Sequence, residues 1–196
     1  MKTDIILAGV GGQGILSIAT VLGRAALMKD LYIKQAEVHG MSQRGGDVQS
    51  NLRISDKPIA SDLIPYNQAD LLVSLEPMEC LRYIPFLNKR GWVITSTVPF
   101  INIPNYPDIK TVMNELEKFD NLVAFDMDKM AKDIGSPRST NIILLGAASP
   151  FISIPAEDIV KGIEDVFERK GQKIVDMNVK AFECGRQATL DFIKDK

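Results

Sequence analysis

The segment LAGVGGQGIL, residues 7–16, sets four glycines within six positions, between an apolar run and a helical pattern. Gly9, Gly11 and Gly14 follow G-x-G-x-x-G, after a predicted strand over Asp4–Ala8 and before a helix predicted from Ile15. Without Cβ atoms such a loop turns tightly and can aim backbone N–H groups at an anion. The same glycines equally serve a plain strand-to-helix turn with close backbone packing, and the loop residues alone leave both readings open. Walker-type phosphate binding is excluded, because Ile15 and Leu16 stand where Lys and Ser or Thr would meet phosphate and metal. A dinucleotide reading survives this test, since Glu37 lies near where an acid would hold a ribose hydroxyl at the end of a second strand.

Outward from the loop, Ile15, Ile18, Ala19, Leu22, Ala25 and Ala26 recur at helical spacing, predicting a helix that ends near Lys29-Asp30. YIKQAEV continues as a strand, HGMSQRGGD is a polar glycine-rich loop, and VQSNLRIS alternates as a half-exposed, antiparallel strand. ADLLVSLEP reads as a buried strand ending at Glu76-Pro77, MECLRYIPFLNKRG as helix, and WVITSTVP as strand. PDIKTVMNELEKFD (helix), NLVAFD (strand) and MDKMAKDIG (helix closed by Gly135) complete the sheet-forming part. STNIILLGAASPF is then a buried helix, and PAEDIVKGIEDVFERKG a helix with acids early and bases late. The last helix carries Ile174, Met177, Ala181, Cys184 and Ala188 as its apolar stripe. The expected architecture is α/β: one three-layer α/β/α domain over residues 1–196, with a mostly parallel or mixed sheet, a Rossmann-like start and a helical C-terminal section.

With 196 residues, 45% hydrophobic and 24% charged, the chain can bury one sizeable core. A formal net charge of −2 argues against a nucleic-acid binder, whose affinity rests on a basic field. The longest apolar runs fall short of the roughly 20 residues that span a bilayer. Met1-Lys2-Thr3-Asp4 passes straight into a strand without the regions of a signal peptide, so a cytoplasmic protein is expected. Cys80 and Cys184 are then free thiols, too far apart in sequence for the clustered set of an iron–sulfur site.

His39 is the sole histidine and cannot build a multi-histidine metal site; a structural, hydrogen-bonded role is expected for it. Arg44, in MSQRGGD, presents a five-donor fork to a phosphate or carboxylate, or is a solvated loop residue. Glu76 stands at a strand's carboxyl end, where open α/β sheets place ligand or partner contacts, and could equally cap the next helix. Ser139, Thr140 and Asn141 form a polar helix start suited either to an anion or to ordinary N-capping.

Together, AGVGGQGIL, EVHGMSQRGGDVQSNLRIS and ADLLVSLEPMECLRYIPFL resemble the gamma-type subunits of 2-oxoacid:ferredoxin oxidoreductases, with the indolepyruvate branch nearest in pattern. STNIILLGA and NVKAFECG extend the likeness over nearly the whole chain, and Gln13 with the paired Gly11-Gly12 matches this family better than a nicotinamide fingerprint. The resemblance implies a fold like domain III of pyruvate:ferredoxin oxidoreductase. It also implies membership of a complex that decarboxylates a 2-oxoacid oxidatively, indolepyruvate becoming indoleacetyl-CoA. That complex would use thiamine diphosphate, magnesium, iron–sulfur clusters and coenzyme A on or with a large partner subunit, and pass electrons to ferredoxin. This sequence lacks a G-D-G followed by an Asn pair and lacks clustered cysteines, so an accessory subunit, inactive alone, is expected, with no catalytic or metal residues of its own. Gly9, Gly11, Gly12, Gln13 and Gly14, with His39, Ser42, Arg44, Gly45 and Gly46, are carried over as cofactor-binding or partner contacts. An isolated chain is expected to expose an apolar patch and to form homodimers through it. The rivals are a stand-alone NAD(P)-dependent Rossmann oxidoreductase and a homo-oligomeric regulatory module that binds an anion or nucleotide.

Overall fold

Alternation with a period of two builds the central sheet, and the computed structural model describes it through residues 1–39 and 45–196, with only the backbone of His39. In β1 (Lys2–Val10), Ile5 and Leu7 enter the core on one side while Ile6 and Ala8 enter the core on the other. A strand apolar on both faces belongs in the middle of a sheet, and β1 lies between β3 (Asp47–Ser55) and β4 (Ala69–Ser74). With β2 (Tyr32–His39), β5 (Leu87–Ser96) and β6 (Leu122–Phe125), the six-stranded order is β2-β3-β1-β4-β5-β6. Only β3 runs antiparallel to its neighbours, so the sheet is mixed and mostly parallel, as expected.

β3 is an interior strand rather than a half-exposed one, because its polar side is covered. Arg53 forms a two-pronged ion pair with the buried Asp4 opposite it, both N–O distances being 2.9 Å. The same guanidinium donates to the carbonyls of Ser61 and Leu63, and Asn51 Oδ1 accepts from the Ile64 N–H at 3.0 Å. Residues 56–68 are thereby strapped over the strand.

Helices α2 (Pro77–Tyr83) and α3 (Ile109–Leu116) cover the Ile6/Ala8 face. The other face carries α1 (Ile15–Leu27), α4 (Met127–Asp133) and α5 (Thr140–Ala148), with α6 (Ala156–Phe167) and α7 (Gln172–Lys194) packed over α1 and α5. The helix expected to run from Met78 to Gly91 stops at Tyr83. Pro85 turns the next residues into a short 3-10 segment, and β5 already begins at Leu87.

The stripe expected on α7 is also displaced. Val175, Asn178, Ala181, Phe182, Gly185 and Thr189 are its buried residues, whereas Ile174, Met177, Cys184 and Ala188 are half-buried. The reason is a glycine crossing with α5. A Cβ on Gly146 would fall on the Phe182 carbonyl, and one on Gly185 would fall on the Ile143 carbonyl. Backbone therefore meets backbone, and the seam follows the glycines rather than the bulkiest apolar side chains.

In a helix interior Gly→Ala is ordinarily worth up to about 1 kcal/mol of added stability. At Gly185 the crossing reverses the sign: Gly185→Ala is expected to lose about 2–3 kcal/mol by urea unfolding, because neither backbone can yield cheaply. Added stability in that variant would mean that α5 and α7 do not cross there.

Candidate functional site at the carboxyl rim of the sheet

The glycine loop joins β1 to α1 at the carboxyl edge of the parallel strands, where open α/β sheets bind ligands. Gln13 N donates to the Val10 carbonyl at 3.1 Å, and Gly12 and Gly14 adopt φ of 104° and 75°, a region that favours glycine. The Gln13 side chain then folds back. Its Oε1 accepts from the Val10 N–H at 2.8 Å, and its Nε2 donates to the Leu75 carbonyl beyond β4 at 3.4 Å. Gly9 has no Cβ because one would lie 2.8 Å from Ile15 Cγ1 and 2.9 Å from Gln13 Oε1. Three of the carried-over glycines meet next to it: Gly11 N donates to the Gly46 carbonyl at 2.8 Å, and Gly45 N to the Gly11 carbonyl at 3.3 Å.

Asn141, at the start of α5, donates to the Gly14 carbonyl at 3.0 Å while its own Oδ1 accepts from the Ile142 N–H. It ties the start of α5 to the start of α1. Ser139 holds the N-cap position of α5 without capping it, its hydroxyl bonding Ser136 at 2.6 Å instead. Between these elements lies a cleft of about 160 Å³, lined by Gln13, Leu75, Ser96, Phe100, Asp128 and Thr140. The exposed Asp128 gives its lip a negative charge.

Glu76 is fully buried and caps α2, Oε2 accepting from the Glu79 N–H at 2.7 Å. Its Oε1 accepts from the Phe100 N–H at 3.3 Å and from the Tyr106 hydroxyl. Burial and this bond push the Tyr106 phenol well above its ordinary range. Nearby, Tyr83 donates to Asp47 Oδ2 at 3.2 Å, and Arg82 forks onto the buried Glu79 at 2.8 and 3.3 Å. Burial raises the Glu79 carboxyl against the opposing pull of Arg82.

The geometry does not fit a dinucleotide. In a nicotinamide-binding sheet the strand carrying the ribose acid lies beside β1, but here β3 separates β2 from β1. Glu37 registers with Ser50, which registers with Leu7, so the acid stands two strand spacings from β1, about 10 Å. Its carboxylate accepts from Gln35 Nε2 at 3.3 Å. Gln13 occupies an inner N–H of the loop, and Asp128 repels a diphosphate.

Of the candidate residues from the sequence, Gly9, Gly11, Gly12, Gln13, Gly14, Gly45 and Gly46 gather at this rim. Ser42 and Arg44 lie outside the described residues, as does the side chain of His39, whose backbone ends β2. Asn102 and Tyr106 also shape the rim without having been singled out, and Asn141, read from the sequence as part of a polar helix start, joins it through the Gly14 carbonyl. The uncharged, proline-punctuated stretch from Thr97 to Pro107 was the available signal for the first two. The cysteines lie on opposite sides of the sheet, Cys80 in the core beneath α2 and α3 and Cys184 on α7, so they cannot share one cluster.

The chain belongs to the pyruvate ferredoxin/flavodoxin oxidoreductase family, whose model matches residues 4–188. It is 36% identical over 194 residues to the indolepyruvate oxidoreductase subunit IorB of Archaeoglobus fulgidus, covering 94% of each chain. Its fold is similar to that of the gamma subunit of a keto/oxoacid ferredoxin oxidoreductase from Geobacter sulfurreducens, with TM-score 0.71, 24% identity, and 97% and 98% of the two chains covered. The 2-oxoglutarate:ferredoxin oxidoreductase of Magnetococcus marinus gives TM-score 0.76 at 21% identity, with 97% of this chain matching 31% of that one.

Burial pushes the Cys80 thiol from about 9 up to about 12, and burial with the Asp47 charge pushes the Tyr83 phenol from about 10 up to about 12. Both groups are held neutral in the fold and ionise first in the unfolded chain. Their contribution is therefore complete below about pH 9 and is lost as pH rises toward about 12. Urea midpoints measured from pH 8 to 12 are expected to fall across that window, and less steeply above pH 10 in Tyr83→Phe. An unchanged slope in the variant would show that Tyr83 is not held neutral.

Proposed function

We propose that the chain is the accessory, beta-type subunit of an indolepyruvate (arylpyruvate) ferredoxin oxidoreductase. The complex would convert the 2-oxoacid, coenzyme A and oxidised ferredoxin into an arylacetyl-CoA, carbon dioxide and reduced ferredoxin. The single observation that carries this is the end-to-end likeness to the Archaeoglobus fulgidus subunit, over 94% of both chains. The corresponding proteins of other 2-oxoacid enzymes are more distant, the 2-oxoglutarate synthase subunit KorC of Methanothermobacter marburgensis being 29% identical.

Thiamine diphosphate supplies the carbanion chemistry of such a complex, and iron–sulfur clusters its electron path. This chain's thiols do not fit an iron–sulfur cluster: they face opposite sides of the sheet, and Cys80 is a neutral core group. In this reading both cofactors belong to a large partner subunit, since the sequence lacks the G-D-G and Asn-pair signature and clustered cysteines. The role of this chain is to present a rigid rim, in which Gly9, Gly11, Gly12, Gln13, Gly14, Gly45 and Gly46 are contacts for that partner or for coenzyme A. Residues 1–196 act as one cytoplasmic domain in this role. No helix among the described residues is long and apolar enough to cross a membrane.

Two preparations test this: the purified chain, and the chain co-expressed with the thiamine-bearing subunit. Each receives thiamine diphosphate, magnesium, coenzyme A, indolepyruvate and a viologen acceptor. The chain alone is expected to give no acceptor reduction and the pair to give coenzyme A-dependent reduction. Turnover by the chain alone, or full activity of the large subunit without it, would refute the assignment.

A further inference from the structure

Residues 97–107, TVPFINIPNYP, link β5 toward α3 and contain no charged side chain, in a protein that is 24% charged. They are nonetheless fixed at several points. Thr97 N donates to the Phe125 carbonyl, Val98 N to Ser96 Oγ, and Asn102 Nδ2 to the Gly45 carbonyl at 2.5 Å. The central anchor is Glu76, which takes the Phe100 N–H and the Tyr106 hydroxyl on one oxygen and the α2 cap on the other. A fully buried carboxylate is costly unless hydrogen bonds satisfy it, and here two of its three come from this segment. What the anchoring presents outward is apolar: Phe100 is 42% exposed, Ile101 71% and Ile103 37%.

We propose that Glu76 is a positioning residue that holds residues 97–107 as a preformed apolar strap, and that this strap docks on the large thiamine-bearing subunit. This rests on the function proposed above. Depletion of charge with clustered aromatic and aliphatic side chains is the composition of an interface core. A segment already pinned in place loses little freedom on binding. The strap also borders the glycine rim through Asn102 and Gly45, so a partner seated on it reaches the candidate contacts. In Magnetococcus marinus the similar fold is 31% of a longer chain, so this architecture occurs joined to a much larger polypeptide.

The complex of this chain with the large subunit provides the test, read by calorimetric affinity and by amide exchange on the chain alone. Ile101→Asp touches no core and is expected to weaken the complex about a hundredfold with unchanged melting of the chain. Tyr106→Phe is expected to speed exchange of the Phe100 amide and to weaken the complex about tenfold. Glu76→Gln keeps an acceptor for both strap donors while spoiling the α2 cap. It should therefore melt earlier yet bind within about threefold of wild type. Wild-type affinity in Ile101→Asp overturns the strap as the docking face, including the case where that variant only splits a homodimer. Wild-type affinity in Tyr106→Phe despite faster exchange overturns the positioning role. Failure of the unmodified chain to bind the large subunit overturns the subunit assignment itself, and this inference with it.

Discussion

Gln13 joins the carboxyl ends of two central strands, accepting the Val10 N–H at 2.8 Å and donating to the carbonyl of Leu75 at 3.4 Å. Much of the rim depends on that bridge. Beside the inward-folded carboxamide and Ile15 there is no room for a Cβ on Gly9, Gly12 and Gly14 take positive φ, and the loop's outer edge pairs with Gly45 and Gly46. A loop that resembles a phosphate cradle is in this way filled from within. Asn141 continues the pattern by holding the Gly14 carbonyl, which couples the first helix to the buried fifth one.

The position of β3 matters as much. Hairpin return of β2 into β3, and pairing of β3 with β1, moves the strand bearing Glu37 one place outward. The Arg53–Asp4 pair fixes this arrangement at the opposite end of the sheet and fastens residues 56–68 across its polar side. Glu76 does the corresponding work at the rim, where one buried carboxylate caps a helix and anchors the uncharged strap. The rim is consequently rigid, backbone-lined and bordered by apolar side chains, features suited to meeting another protein surface.

Periodicity and punctuation made most of this fold legible in the sequence. The glycine loop, the antiparallel VQSNLRIS strand, the start of the helix after Glu76 and the αL glycine at Gly135 all stand where local chemistry puts them. Local chemistry could not reveal the α7 seam, because its position is decided by two glycines meeting backbone on another helix 39 residues away in sequence, Gly146 against Gly185. Nor could it reveal the partner of Tyr106, since the Glu76–Tyr106 bond spans 30 residues. The displacement of Glu37 is likewise a property of sheet order, which no single strand encodes. Site residues were readable where a motif carried them, as for Gly9 to Gly14, and hidden where the contact joins distant loops.

The central claim, proposed above, is that this glycine rim serves the large subunit or coenzyme A in a 2-oxoacid oxidoreductase complex and not a nicotinamide dinucleotide. Parallel calorimetric titrations of the purified chain, one with NADH and one with the thiamine-bearing subunit, test it most directly. The account predicts saturable one-to-one binding of the subunit and no heat from NADH. Stoichiometric NADH binding that Glu37→Ala abolishes, with no association of the subunit, would contradict it.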